Sequence, residues 1–341
     1  MQNDKEMLRS TVKNIFHWIK KYQHSIQLAI GFLATGLAIL IVYLNRHDLI
    51  LLLQMKIWDL AAIYLVYLLQ FMAAAIPLWL IIRHLSGKSV PIIKWIKIMF
   101  VSRMANHLVP KSGGFYKAYI LNNDYKVSYI NFIQIYAFFS WLTVFINLGL
   151  VTLLIYIFLP TLKIGDYHAI SIMAGMFVIT LSGPLIMKYV LDFINPKETL
   201  FSSISEKIHG IFVVMLQQGR DIELMSKLIG VLILKFGLNV LLFKLLFSGM
   251  NIQIGYPQMS LFIAAQQVTI ILFITPGNIG IRELLYGGIG GAIGIGVTEG
   301  LIASALLRVV GYVVVFPFSI AFGGLNVYRA IKARSSLKEG A

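Results

Sequence analysis

The chain predicts an all-α polytopic membrane protein with about six to eight transmembrane helices, two re-entrant hairpins broken by Pro and Gly, and the outline of an inverted repeat. Three observations carry this reading. Of 341 residues, 58% are hydrophobic and only 13% charged, with a mean hydropathy of +0.81, whereas soluble domains are usually about 45 to 50% apolar. Charge-free runs occupy 26–44, 60–82, 127–159 and 167–187, each long enough to cross a hydrocarbon core as a helix. Finally, Pro110-Lys-Ser-Gly-Gly-Phe-Tyr-Lys117 and Pro276-Gly-Asn-Ile-Gly-Ile-Arg-Glu283 interrupt apolar segments with the same Pro-x-x-x-Gly-x-x-charged order. Interrupted hydrophobic segments at corresponding places in two halves of a membrane protein mark ligand sites near the midplane, because unwound backbone leaves helix ends free.

Residues 1–25 form a basic leader with Lys5, Arg9, Lys13, Lys20 and Lys21. No small-residue cleavage pattern follows the apolar run 26–44, so it reads as a retained helix opening a single membrane domain, 26–322. Segment 58–82 returns to the starting side, where Arg83, Lys88, Lys94 and Lys97 lie within 83–97. A tail, 323–341, carries Arg329, Lys332, Arg334 and Lys338. The positive-inside rule puts leader, loop and tail in the cytoplasm, with both termini there. The net charge of +15 therefore reads as topogenic and lipid-facing, not as a nucleic-acid footprint.

Segment 92–122 is too short in each arm to span and reads as a hairpin entered from the cytoplasm. One crossing over 127–159 and a return over 168–191 follow. Mixed charges at helical spacing make 192–227 an amphipathic segment on the cytoplasmic surface. Segment 228–247 crosses outward. The second hairpin, 258–275 and 281–297, is entered from outside, and the last span, about 300–322, ends inside. Opposite entry of the two hairpins is what an inverted repeat requires.

Each ionisable residue within an apolar stretch is a functional candidate, because burying it in a bilayer costs a few kcal/mol. These are Arg103, Lys235, Lys244, Arg282, Glu283 and Arg308. The excess of cations points to an anionic ligand, and guanidinium forks suit phosphate. Arg282 falls in the first turn of a helix whose free N–H groups, opened by Gly277 and Gly280, favour an anion too, and Pro276 and Asn278 of the same broken segment join the candidate site. A Glu283–Arg308 ion pair that merely joins two helices is the competing reading. In the first hairpin, Asn106, Pro110, Lys111, Ser112, Gly113, Gly114 and Lys117 make a matching site, unless Lys111 and Lys117 simply lie at the membrane surface. Lys244 reads as snorkelling to an interface. His107 reads as a hydrogen-bonding residue at a helix end, since no second ligand stands at metal spacing. The PKSGG string lacks the order of a Walker loop. Cysteine is absent, which excludes thiolate metal sites and disulfides. Neither metal nor cofactor is expected.

At Asn106–Leu121 (NHLVPKSGGFYKAYIL), Thr275–Leu284 (TPGNIGIREL) and Ala305–Val314 (ALLRVVGYVV) the chain resembles the flippase-like membrane proteins of the lysylphosphatidylglycerol synthase transmembrane family. In that family a Pro/Gly-rich element, Gly-x-Arg-Glu and a later Arg recur, supplied here by Pro276, Gly277, Gly280, Arg282, Glu283 and Arg308. The resemblance implies movement of a lipid with a polar or charged headgroup between leaflets. It also implies that aminoacyl transfer, carried in full-length relatives by a following cytoplasmic domain, is absent from a chain ending at Ala341.

The expected function is thus a flippase for an anionic or polar-headgroup lipid, a phospholipid or polyprenyl-phosphate-linked lipid, in a prokaryotic cytoplasmic membrane. Lipid is the expected partner; a homo-oligomer or association with envelope-biosynthesis enzymes stays open. The alternatives are an integral-membrane glycosyltransferase, with Asp48 and Asp59 as acidic candidates, or a non-transporting accessory subunit of envelope-glycan assembly.

Overall fold

The computed structural model describes residues 54–87, 89–109, 111–194, 219–272 and 278–323, together with a few residues between Leu33 and Tyr43. The described residues form nine helices and one two-residue ribbon. Helix α1 spans Ile57–Ser86, α2 Ile92–Leu108, α3 Ser112–Tyr125 and α4 Tyr129–Phe158. The ribbon pairs β1 (Lys163–Ile164) with β2 (Tyr167–His168). Then come α5 (Ala169–Ile194), α6 (Ile222–Gly249), α7 (Tyr256–Leu272), α8 (Ile281–Ala292) and α9 (Val297–Ala321). Helices α1, α4, α6 and α9 are long and apolar enough to cross a membrane. The other two expected crossings are 26–44, almost all outside the described residues, and the segment that becomes α5.

Helices α1 and α6 lie antiparallel over their whole lengths. Asn251 donates a side-chain hydrogen bond to Gln54 at one end (3.0 Å), and His84 Nε2 meets Asp221 at the other (2.9 Å). These contacts define a Gln54 side and a His84 side. Two expected boundaries shift. Asp221 caps α6 by accepting from Leu224 N–H (2.9 Å), so Glu223 and Lys227 belong to the first turns of a long helix, where a cap and an acidic residue favour helix initiation. They are not part of a separate surface segment; the remainder of 192–227 lies largely outside the described residues. The leader and nearly all of the tail lie outside them too.

Both hairpins form. Helix α2 leaves the His84 side, where Trp95 Nε1 donates to Ala75 O (2.8 Å), and runs inward until His107 faces Tyr312 (ring centroids 4.9 Å). Helix α3 returns to the His84 side. Helix α7 leaves the Gln54 side, and α8 returns there, with Phe262 against Tyr286 (5.3 Å) along the pair. The arms of the first hairpin have 17 and 14 residues and α8 has 12, short of the roughly 20 that a crossing needs; α7 is described over 17 residues. The hairpins therefore enter from opposite ends and their tips meet beside the middle of α9.

Contact between α8 and α9 depends on absent side chains. A Cβ on Gly300 would sit 2.2 Å from Tyr286 O, and one on Gly290 2.3 Å from Gly296 O. Small residues let backbones approach this closely where no hydrophobic gain drives helices together in lipid. Two apolar clusters cover the interior: a larger one joining α1, α4, α6, α7 and α9, and a smaller one around Trp95, Phe138 and Leu228.

Candidate functional site

The first hairpin turns on a set of short polar bonds. Gly113 N–H donates to Asn106 Oδ1 (2.8 Å), Ser102 Oγ donates to Gly113 O (2.8 Å), and Ser112 Oγ donates to Val109 O (2.8 Å). A Cβ on Gly113 would lie 2.0 Å from Ser102 O, whereas one on Gly114 would meet nothing within 4 Å. Lys111 precedes α3 in the left-handed region, φ 62°, and is exposed. Asn106, Ser112 and Gly113 thus close the turn, and Lys111 lies outside the cluster of buried charges. Pro110, Pro276 and Gly277 lie outside the described residues.

The second tip is held by one carboxylate. Glu283 Oε2 accepts from Gly280 N–H (2.8 Å), while Oε1 accepts from Arg308 Nε (2.9 Å) and from its terminal nitrogen (2.6 Å). Ser304 Oγ donates to the same oxygen at 3.3 Å. Asn278 Nδ2 reaches back to Thr269 O (2.7 Å), and Arg308 also donates to Asn278 O (3.3 Å). Glu283 and Arg308 side chains are 12% and 13% exposed. The free helix N-terminus expected at Arg282 is therefore occupied by the helix's own Glu283, and Arg308 is matched to that acid. Both expectations for an incoming phosphate lose force at this spot for the same reason.

Arg282 is different. Its guanidinium lies over the Tyr286 ring (5.1 Å), and its buried Nε has no hydrogen-bond partner. Asn278 Oδ1 and both ring nitrogens of His107 are likewise buried without partners. His107 is consequently not the helix-end hydrogen-bonding residue expected; it packs edge-on against Tyr312 and lies within electrostatic range of Arg103, Arg308 and Arg282. Lys117 (6% exposed) and Lys235 (9% exposed) are buried, and both feel the charge of Arg103. Lys117 Nζ stands 4.9 Å over the Tyr136 ring, so the surface placement considered for it does not hold. Among the described residues, no acid forms a close ion pair with Arg103, Lys117, Lys235 or Arg282, and Glu283 lies within electrostatic range of Arg282. Lys244 is exposed and donates to Tyr256 Oη (3.3 Å), in keeping with snorkelling.

The structure thus places Lys117 of the first hairpin and Lys235 of α6 near Arg103, and Arg103, Arg282 and Arg308 around His107, with Glu283 engaged by Arg308. Sequence reasoning missed Tyr136 and Tyr286, the aromatic faces under two of these cations; Tyr286 stands one helical turn after Arg282, which is a readable signal. Of the acids weighed for an enzyme, Asp59 accepts from Lys56 N–H (3.0 Å) at the start of α1, and Asp48 lies outside the described residues.

The family model described as the lysylphosphatidylglycerol synthase TM region matches residues 25–319. The chain belongs to this family. No curated protein and no solved structure matches it. Membership of the lysylphosphatidylglycerol synthase TM region family, with four long apolar helices, makes it an integral membrane protein. The family match runs through both hairpins and Arg308, so these cations lie inside the family's shared region.

Proposed function

We propose that this protein moves a lipid with an anionic headgroup between leaflets, the headgroup phosphate entering between the two hairpin tips while the acyl chains stay in lipid. The observation that carries this reading is a surplus of positive charge without matching acid: Lys117 and Lys235 are buried, Arg103 lies within electrostatic range of both, Arg282 is partly buried with an unpartnered Nε, and Glu283 is already paired with Arg308. Uncompensated buried cations are costly, and a phosphate supplies the missing charge together with acceptors suited to guanidinium and ammonium donors. Hairpins opening to opposite ends give such a site one route to each leaflet. In this reading the His84 side, carrying Arg83, Lys94 and Lys97, faces the cytoplasm of a prokaryotic cell, and the membrane lipid is the substrate partner.

Headgroup-resolved lipid exchange in proteoliposomes tests it. Wild type accelerates exchange of phosphatidylglycerol over protein-free vesicles, and Arg282→Ala and Lys235→Met each lower that acceleration by at least about tenfold, a difference of roughly 1.4 kcal/mol. No acceleration by wild type, or variants equal to it, overturns the reading.

A further inference from the structure

Three buried amides lie outside the cation cluster, on helices that pack against one another. Asn147 on α4, Asn239 on α6 and Gln267 on α7 are 1%, 2% and 2% exposed. Helix α4 ends at Phe158, α6 ends at Gly249 and α7 begins at Tyr256, all on the Gln54 side, so each amide sits about three helical turns in from that side. Aromatic contacts fix the register of two of the helices: Phe243 of α6 meets Phe262 of α7 (5.5 Å), which puts Asn239, one turn earlier on α6, level with Gln267, just over one turn later on α7.

Each amide keeps one unused polar atom. Asn147 Nδ2 donates to Thr143 O (2.6 Å) and Gln267 Nε2 to Ile263 O (3.3 Å), which leaves Asn147 Oδ1 and Gln267 Oε1 as acceptors without donors. Asn239 Nδ2 is a donor without an acceptor. Buried polar atoms with no partner are uncommon and costly, more so at a depth where lipid offers no alternative. Three at one level are not explained by helix packing, because none of them completes a bond between helices. Asn239 also lies one turn from Lys235, so the amides continue the inward face of α6 that carries a buried cation. That nearby positive charge disfavours a metal cation as the missing ligand. Two acceptors and one donor match hydroxyl groups, which both give and take hydrogen bonds.

The geometry points to a second headgroup station, formed by Asn147, Asn239 and Gln267, that binds the hydroxyls of a polyol or sugar carried on the phosphate. This rests on the phosphate reading above and names the substrate class more narrowly: a lipid phosphodiester bearing a hydroxyl-rich group, bound with its phosphate toward Lys235.

Equilibrium binding of short-chain fluorescent phosphatidylglycerol and phosphatidic acid to the full chain in detergent separates the two claims, since both lipids carry the phosphate and only one carries the polyol. Wild type binds phosphatidylglycerol at least about tenfold more tightly. Asn239→Leu and Gln267→Leu each weaken it by roughly threefold to tenfold, one hydrogen bond's share, and leave phosphatidic acid within about twofold. Both variants keep or raise the melting temperature, because an unsatisfied buried group has been replaced by an apolar one of similar size. Equal binding of the two lipids by wild type, equal losses for both lipids, or a lowered melting temperature with unchanged lipid preference overturns the second station. Should wild type bind with the expected preference yet accelerate no lipid exchange in vesicles, translocation fails and the station stands.

Discussion

The most informative side chain is Glu283, because a single carboxylate does two jobs that the sequence presents as separate. It satisfies the N–H of Gly280 at the start of α8 and accepts from two nitrogens of Arg308. Losing one partner of a mostly buried pair strands the other charge, a loss of about 3 to 5 kcal/mol. Arg308→Met should therefore lower the melting temperature sharply in detergent, while Glu283→Leu combined with Arg308→Met should recover most of it. Full recovery of transport along with stability in the double variant would make the pair purely architectural. The sequence made the pair readable as an alternative, since intramembrane charges tend to meet each other, but not the back-bond to Gly280. Lys117 and Lys235 show the opposite limit: they are far apart in the chain, on α3 and α6, and only tertiary packing brings both near Arg103.

At the level of elements, the two broken strings were legible because Pro and Gly act locally, ending helices wherever they occur. The depth of the tips was not legible, because it depends on which residues of α1 and α9 they reach. Within the first tip the adjacent glycines are not equivalent. Gly113→Ala should open the α2–α3 turn, costing on the order of 1 to 3 kcal/mol or more through the clash with Ser102 O. Gly114→Ala, with open space around it, should change stability little or raise it slightly, since Ala is the better helix former. Thermal unfolding of the two variants side by side checks this, and equal effects would mean that the hairpin does not close as described. Gly300→Ala should behave like Gly113→Ala, for the Tyr286 carbonyl stands in the same relation to it. The end of the expected surface segment at 227 shifts for a physical reason as well: Glu223 and Lys227 are i,i+4 partners, a pattern shared by amphipathic surface helices and by the first turns of a membrane helix leaving the interface.

For the molecule as a whole, the number and polarity of long helices followed from composition, because lipid leaves few alternatives to the helix. Sidedness is testable with unusual economy, since the chain has no cysteine and any single introduced thiol is unique. Ser128→Cys, on the His84 side, and Gln253→Cys, on the Gln54 side, should react with a membrane-impermeant maleimide from opposite faces of sealed vesicles. Labelling of both from one face would refute opposed hairpins. The basic loop further predicts that Ser128→Cys is the one protected in intact cells.

The antiparallel α1–α6 pair has a consequence for the bilayer around it. Its helices have 30 and 28 residues, about 42 to 45 Å at 1.5 Å per residue, and polar contacts tie them together at both ends. A strut fastened at each end cannot shorten by letting one helix slide along the other. When the surrounding membrane is thinner or thicker than the strut prefers, the lipid must deform or the whole body must tilt. The protein is in effect a gauge of fixed length, and its activity should follow acyl-chain length, highest where the bilayer fits the pair and falling on either side.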